Sequence, residues 1–154
     1  MRAEVITLLL SMVPISELRG GIPYAWSQGI NHWIAYLIAV TGNLIPVIPL
    51  LLLLGPISKW LRRFSLFNKF FDWWFKRTLK RSQLIEKYGV LGLIVFVMIP
   101  LPVTGAWTGS VAAFLLGIRF RYAFPAIVIG VILAGVIVSL VCLGVVHIPI
   151  FIRH

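Results

Sequence analysis

The chain has 154 residues, of which 60% are hydrophobic and only 12% are charged. Soluble domains average about a quarter charged residues, so the composition predicts an integral membrane protein and argues against an ordinary soluble domain. The net charge of +10 could indicate a nucleic-acid-binding protein. However, nine of the basic residues are concentrated in one segment, from Lys59 to Lys87. Nine basic minus two acidic residues gives this segment +7, which the positive-inside rule associates with a cytoplasmic connection. No nucleic-acid partner is therefore expected.

The first apolar arm, Val5–Val13, is too short to cross a bilayer, because it rises only about half of the 30 Å hydrocarbon core. It meets a break between two prolines, and another short arm, Ile22–Ile30, follows. Irregular backbone in a membrane requires protein or water to satisfy its polar groups. Charges at that depth are costly and usually mark an ion or substrate pathway. The predicted pathway residues of this break are Pro14, Glu17, Arg19, Gly20, Gly21 and Pro23.

The run Ile34–Leu54 is long enough to span a membrane, and the basic segment after it is predicted to be an amphipathic helix. Its aromatic residues recur at helical spacing, and its basic residues occupy the opposite arc. Such a helix lies in the membrane interface and anchors the chain. The alternative is that its basic face recognises anionic lipid headgroups.

The second half repeats this order. A short arm, Val90–Ile99, meets a second proline- and glycine-containing break, and a short return arm, Val111–Ile118, precedes the spanning run Tyr122–Val146. The break carries no charge, but its hydroxyl and backbone groups can cap the return arm and leave amides pointing at an anion or at Glu17. The pathway residues predicted here are Pro100, Pro102, Thr104, Gly105, Trp107, Thr108 and Gly109, with Arg119 at the foot of the hairpin.

These features predict an all-α membrane protein with two inverted repeats, each a re-entrant helical hairpin followed by a transmembrane helix. The predicted units are residues 1–55, the basic amphipathic linker 56–87, and residues 88–149, within one membrane domain. Weak identities at an offset of 88, such as Gly42 with Gly130, support the repeat. Inverted repeats with broken helices are a common transporter architecture. The alternative is a single kinked span across each break.

The sequence predicts a multi-pass protein of the plasma membrane. Its basic linker is expected in the cytoplasm and both of its termini on the extracytoplasmic side. Cys142 is the only cysteine, and the three histidines share no ligand spacing with it, so neither a metal site nor a cofactor is expected. No phosphate-binding Gly-Lys-Ser/Thr motif is present. The sequence therefore indicates no enzyme.

The breaks Pro14–Pro23 and Pro100–Gly109 resemble the two signature turns of the small multidrug export protein family, over nearly the whole chain. That resemblance implies an export activity. The arrangement is also similar to the DedA superfamily, whose members have two opposed re-entrant hairpins and are linked to lipid-phosphate flipping and proton-coupled transport. The arginines that flank the second turn in that superfamily correspond here to Val97 and Val103.

Three functions follow from this reading. The first is a secondary transporter in which Glu17 accepts a proton or a small cationic or amphipathic substrate, and Arg19 tunes its proton affinity. The second is a flippase for an anionic carrier lipid, with Arg19 and Arg119 on the phosphate. The third is a non-transporting membrane scaffold that associates through the aromatic linker. Glu17 and Arg19 as a purely structural ion pair remain the alternative to the first, and a homodimer would enlarge the path of so small a bundle.

Overall fold

The computed structural model describes residues 2–101 and 104–152, with side chains as far as residue 145. Within these ranges the chain forms helices and no strands, as expected for an all-α protein. The helices are α1 (Ala3–Met12), α2 (Glu17–Ser27), α3 (His32–Leu44), α4 (Val47–Leu61), α5 (Ser65–Arg81), α6 (Gln83–Tyr88), α7 (Val90–Met98), α8 (Ala106–Leu115) and α9 (Phe120–Ile152).

Two helical stretches in the described residues are long and apolar enough to cross a membrane, His32–Leu61 and Phe120–Val145. The two predicted spans are confirmed in length and composition. The first extends beyond the predicted Ile34–Leu54 and consists of α3 and α4, which are separated at Ile45 and Pro46. Proline at this point has no N–H group to continue the helical ladder, so the stretch divides in its middle.

The first hairpin is formed by α1 and α2, which pack against each other. Its break is shorter than the sequence predicts, because the helix resumes at Glu17 and contains Gly20, Gly21 and Pro23. A Cβ on Gly21 would overlap the side chain of Ser11 on α1. The glycine therefore permits close helix packing rather than chain reversal, and the prediction of an irregular backbone up to Pro23 is wrong.

The second hairpin is formed by α7 and α8, which are also in contact. The helix α8 begins at Ala106. Its first turn, rather than the break, therefore contains Trp107, Thr108 and Gly109. Two positions of the predicted break, Pro102 and Val103, lie outside the described residues.

The return helices α2 and α8 end in the same way. Gln28 and Leu116 share φ −89° and ψ 4°, and each precedes a glycine with positive φ, +77° at Gly29 and +69° at Gly117. In both hairpins the next residue donates its N–H to a carbonyl five residues back, at 3.0 Å in the first and 2.9 Å in the second. Glycine reaches this left-handed conformation without the steric cost of a Cβ.

Each spanning helix approaches its own hairpin through a glycine. A Cβ on Gly42 of α3 would lie 2.6 Å from the carbonyl oxygen of Leu8 on α1, and a Cβ on Gly130 of α9 would lie 2.7 Å from the Cβ of Val97 on α7. Glycine at these contacts lets the helix backbones come together, as small residues do between membrane helices.

The basic helix α5 packs partly against protein. Phe71 and Phe75 are buried in an apolar cluster with Leu54 of α4 and Val111 of α8. Phe64, Phe67 and Trp73 are exposed instead. The predicted aromatic face is therefore divided between the helical bundle and the surroundings, so α5 is attached to the bundle through α8.

We expect Gly42→Ala to destabilise the protein by about 1–3 kcal/mol, because the added methyl group meets backbone that cannot move away by rotation. Gly55→Ala on α4 is the control, since its Cβ would reach only ordinary contact with Phe114 at 3.4 Å. Thermal unfolding in one detergent checks both variants. Equal stability of the two would contradict the close approach of α1 and α3.

Candidate functional site

Glu17 starts α2 in an unusual backbone conformation. Its φ of +44° makes it the one non-glycine residue with positive φ in the described chain. A left-handed conformation costs an L-residue roughly 1–2 kcal/mol, and strained residues of this kind cluster at functional sites. The side chain is only 5% exposed, so the strain holds a carboxylate in the interior.

The carboxylate lies at the N-terminus of α8. The backbone N–H of Trp107 donates to Glu17 Oε1 at 3.4 Å, and the Ala106 amide also interacts with the carboxylate. The first amides of a helix have no partner within the helix and carry the positive end of its dipole. The sequence predicts that these amides face an anion or Glu17, and in the structure they face the Glu17 carboxylate.

Gly105 makes room for this contact. It is the N-cap of α8, with φ +150° and no side-chain capping hydrogen bond. A Cβ at this position would overlap the Glu17 carboxylate. A serine or aspartate at the N-cap normally accepts a hydrogen bond from the first amides of its own helix. Here Glu17, from the other hairpin, accepts that bond.

Two further hydrogen bonds join the ends of the hairpins. Arg19 Nη2 donates to the Thr104 carbonyl at 3.0 Å, and Trp107 Nε1 donates to the Met12 carbonyl at 2.9 Å. We call these two bonds and the Glu17–Trp107 bond the tip contacts. They link residues that are 85 to 95 positions apart in the chain.

Arg19 does not form an ion pair with Glu17. Within the described residues no contact of 4.0 Å or less joins the two charged groups, and the guanidinium binds a backbone carbonyl instead. A simple Glu17–Arg19 ion pair is therefore not supported. Arg19 still lines the same small cavity as Glu17, where its positive charge contributes to the electrostatics of the carboxylate.

Asn43 completes the surroundings of the carboxylate. It lies in the middle of the first span, is 1% exposed, and its side chain interacts with Glu17. Its Oδ1 is buried without a hydrogen-bond partner in the described part of the chain. Sequence reasoning assigned Asn43 no role in the site, although a single amide in an apolar span is a polar helix contact by type.

The space around these groups is nearly closed. The cavity beside Glu17 measures about 10 Å³, and its lining includes Pro100, Gly105 and apolar residues of α9. That volume is at the lower limit for a single water molecule. The structure therefore shows the carboxylate sealed among protein groups.

Other predicted pathway residues have different positions. The single proton of the Thr104 hydroxyl is shared between the carbonyls of Ile99 and Leu101, at 2.8 and 3.0 Å, so the side chain closes the end of α7 and does not cap α8. Thr108 is buried in α8, and Gly109 packs against Val97.

The remaining predicted residues do not line the cavity beside the carboxylate. Pro14 and Pro23 are exposed, and Gly20 and Gly21 face the Ser16 and Ser11 side chains. Arg119 is exposed beyond the far end of α8, a ten-residue helix about 15 Å long. The structure therefore brings together Glu17, Arg19, Thr104, Gly105, Trp107 and Pro100, and separates Arg119 from them.

The comparison with known families identifies the family of the chain. Residues 17–137 match the family described as "Putative small multi-drug export protein". The chain belongs to this family. The match begins at Glu17, after the turn of the first hairpin, and includes the second hairpin and most of both spans of this export-family protein. No curated protein and no solved structure gave a significant match.

We expect Gly105→Ala to displace the Glu17 carboxylate from α8 and to destabilise the export-family protein by more than Gly117→Ala. Gly117 is the control for positive φ, since a Cβ there meets nothing within 4 Å and should cost only conformational strain, about 1–2 kcal/mol. Gly105 lies at φ +150° and ψ −165°, a region essentially restricted to glycine, so part of its loss is also backbone strain. A Glu17→Gln background separates the two parts, because it removes the charge of the carboxylate and leaves the backbone strain unchanged. If thermal unfolding gives the same Gly105→Ala loss in both backgrounds, Gly105 serves backbone conformation alone.

Proposed function

We propose that this protein is a membrane exporter in which the tip contacts form a gate that is closed on Glu17. The observation that carries the proposal is the buried carboxylate at the N-terminus of α8, held there by a residue of the other hairpin. A charge in an apolar interior needs compensation from its surroundings. Because the compensation here comes across the junction of two hairpins, neutralising the charge weakens that junction.

The two halves are proposed to be inverted repeats with re-entrant hairpins. Equivalent glycines support this arrangement: Gly21 packs on Ser11 in the first hairpin, and Gly109 packs on Val97 in the second. The matching ends of α2 and α8 and the matching approaches of Gly42 and Gly130 support it as well. Sites between inverted repeats are a recurring feature of secondary transporters.

Cavities lie on both sides of the closed centre. A cavity of about 440 Å³ beside Trp26, Trp33 and Tyr36 is here called the aromatic cavity. A groove of about 300 Å³ along the residues from Pro46 to Ser58 is called the α4 groove. Asn43, at the Glu17 site, lies between these two segments of the first span, seven residues or about 10 Å beyond Tyr36. Separate cavities on opposite sides of a sealed group are compatible with alternating access.

In the proposed mechanism, a proton or a cationic amphipathic substrate neutralises Glu17. The carboxylate then loses its attraction to the α8 amides, and the two remaining tip contacts are left to hold the hairpins together. Arg19 tunes the competition by adding positive charge beside the carboxylate. The basic linker is proposed to lie in the cytoplasm, with both termini outside, in accordance with the positive-inside rule.

The lipid-phosphate alternative is not carried forward. It required Arg19 and Arg119 to contact one phosphate group, and these residues lie at opposite ends of α8. The scaffold alternative is not favoured either, because the export family is the one that the chain matches.

We expect Glu17→Gln to impair proton-driven transport strongly, because glutamine is similar in size but cannot exchange a proton. Tetraphenylphosphonium flux into proteoliposomes under a pH gradient should fall roughly 5- to 150-fold, the usual range of a coupling free energy of 1–3 kcal/mol. Glu4→Gln is the control, since Glu4 is exposed at the start of α1. Unchanged pH-driven flux in Glu17→Gln would remove Glu17 from the mechanism.

We expect Trp107→Phe to weaken the gate, because it removes the indole donor to Met12 but keeps an aromatic ring. A lost hydrogen bond of about 1 kcal/mol should speed hydrogen exchange in the first turn of α8 by roughly fivefold. Trp26→Phe is the matched control, since Trp26 Nε1 has no partner in the described chain. Equal protection of α8 in both variants would show that the indole bond does not hold the tips.

A further inference from the structure

The proposed gate uses the α4 groove only as a cavity beside the closed centre, but the length and lining of the groove indicate a particular occupant. Leu50, Leu53 and Ile57 of α4 line one wall, Phe71 and Trp74 of α5 line another, and Trp107 also belongs to the lining. The stretch from Pro46, the N-cap of α4, to Ser58 gives the groove a length of about 18 Å. Half of a hydrocarbon core is about 15 Å, so the groove is as long as one leaflet is deep.

Positive charge lies at one end of the groove. The lining positions of α4 follow helical spacing, and the same spacing continues to Arg62, the C-cap of α4. Its guanidinium is 5.6 Å from the centroid of the Phe75 ring, which is 5.6 Å from the ring of the groove-lining Phe71. Arg62 also contacts Asp72 at 3.6 Å, with both side chains about half exposed. Lys59 and Arg63 flank this position.

We propose that the α4 groove binds one acyl chain of an anionic phospholipid, whose headgroup lies at Arg62 and whose chain runs toward Trp107. The bilayer itself supplies this occupant. Within a membrane the apolar chain gains little from leaving other lipid tails, so selectivity must come from the headgroup. Basic residues near the surface attract anionic lipid, and the segment that contains Arg62 carries the main positive charge of the chain.

The proposal goes beyond the exporter function and uses the same membrane placement. It also gives the gate a lipid contact, because Trp107 both lines the groove and holds the tip contact to Met12. An acyl chain in the groove packs on the indole while the indole nitrogen remains bonded. The lipid is therefore expected to stabilise the closed gate.

Lipid retention in native mass spectrometry tests the groove. Phosphatidylglycerol and phosphatidylcholine with identical chains are added to the purified protein, and about tenfold preference for the anionic lipid is expected. Leu53→Trp should abolish this retention by filling the groove. Leu52→Trp is the matched control, because Leu52 is the neighbouring residue, is similarly exposed (54% against 47% for Leu53), and does not line the groove.

The headgroup contact has its own pair of variants. Arg62→Gln should reduce the preference for phosphatidylglycerol, and Arg77→Gln should leave it unchanged. Both arginines lie over an aromatic ring, but Arg77 is over the exposed Trp73. Equal retention of the two lipids by the native protein would overturn the proposal, and so would equal losses in Leu52→Trp and Leu53→Trp.

A fluorescence measurement that leaves the groove open avoids the risk that a filled groove prevents folding. Phosphatidylglycerol brominated near its chain ends should quench a component of tryptophan fluorescence that Trp107→Phe removes and Trp26→Phe retains. Quenching that Trp107→Phe leaves unchanged would overturn the proposal. The proposal would also be overturned if Leu53→Trp kept the lipid but lost tetraphenylphosphonium binding, since the occupant would then be a substrate. Loss of dimer formation instead of lipid would identify the occupant as a second copy of the chain and would overturn the proposal as well. Flux by Glu17→Gln tests the exporter function separately from all of these results.

Discussion

The structure depends on how one buried carboxylate is neutralised. Glu17 is removed from solvent and receives hydrogen bonds from the first turn of α8, about ninety residues later in the chain. Removing one partner of a buried charge is costly, because the remaining charge stays uncompensated. The absence of a Cβ at Gly105 and the positive φ of Glu17 both serve this contact. Protonation of the carboxylate and separation of the hairpins are therefore coupled by the same interaction.

The sequence predicts the elements of this arrangement but not the extent of its breaks. Long apolar runs identify both spans, and the short arms beside proline and glycine identify both hairpins. Proline and glycine usually interrupt helices, so Gly20, Gly21 and Pro23 predict an irregular backbone. In the structure they lie within α2. Glycine that reverses a chain and glycine that lets two helices touch have the same sequence signature. Only the neighbour, here Ser11 of α1, distinguishes the two roles.

The composition of the site is harder to predict, because its contacts are long-range. The sequence gives Glu17 as a costly charge at depth and α8 as a helix with free amides, so their meeting could be expected. It does not show that Arg19 binds the Thr104 carbonyl, or that Asn43 from the middle of a span joins the site. Arg119 was predicted as a site residue from its position at the foot of a hairpin. A hairpin foot is one full helix away from a hairpin tip, which explains its separation from Glu17.

The packing of the two hairpins indicates which part of them moves when the gate opens. Seven of the ten residues of α8 are buried, and the helix contacts α4, α5, α7 and α9. The helix that carries Glu17 is also held, because α2 buries five residues and contacts both α3 and α9. The turn between α1 and α2 is different, since Ile15 is 90% exposed. Moving α8 would disrupt the aromatic packing of α5, and moving α2 would disrupt its contacts with α3 and α9, so the lower cost assigns the turn that leads into Glu17 as the mobile part of the gate.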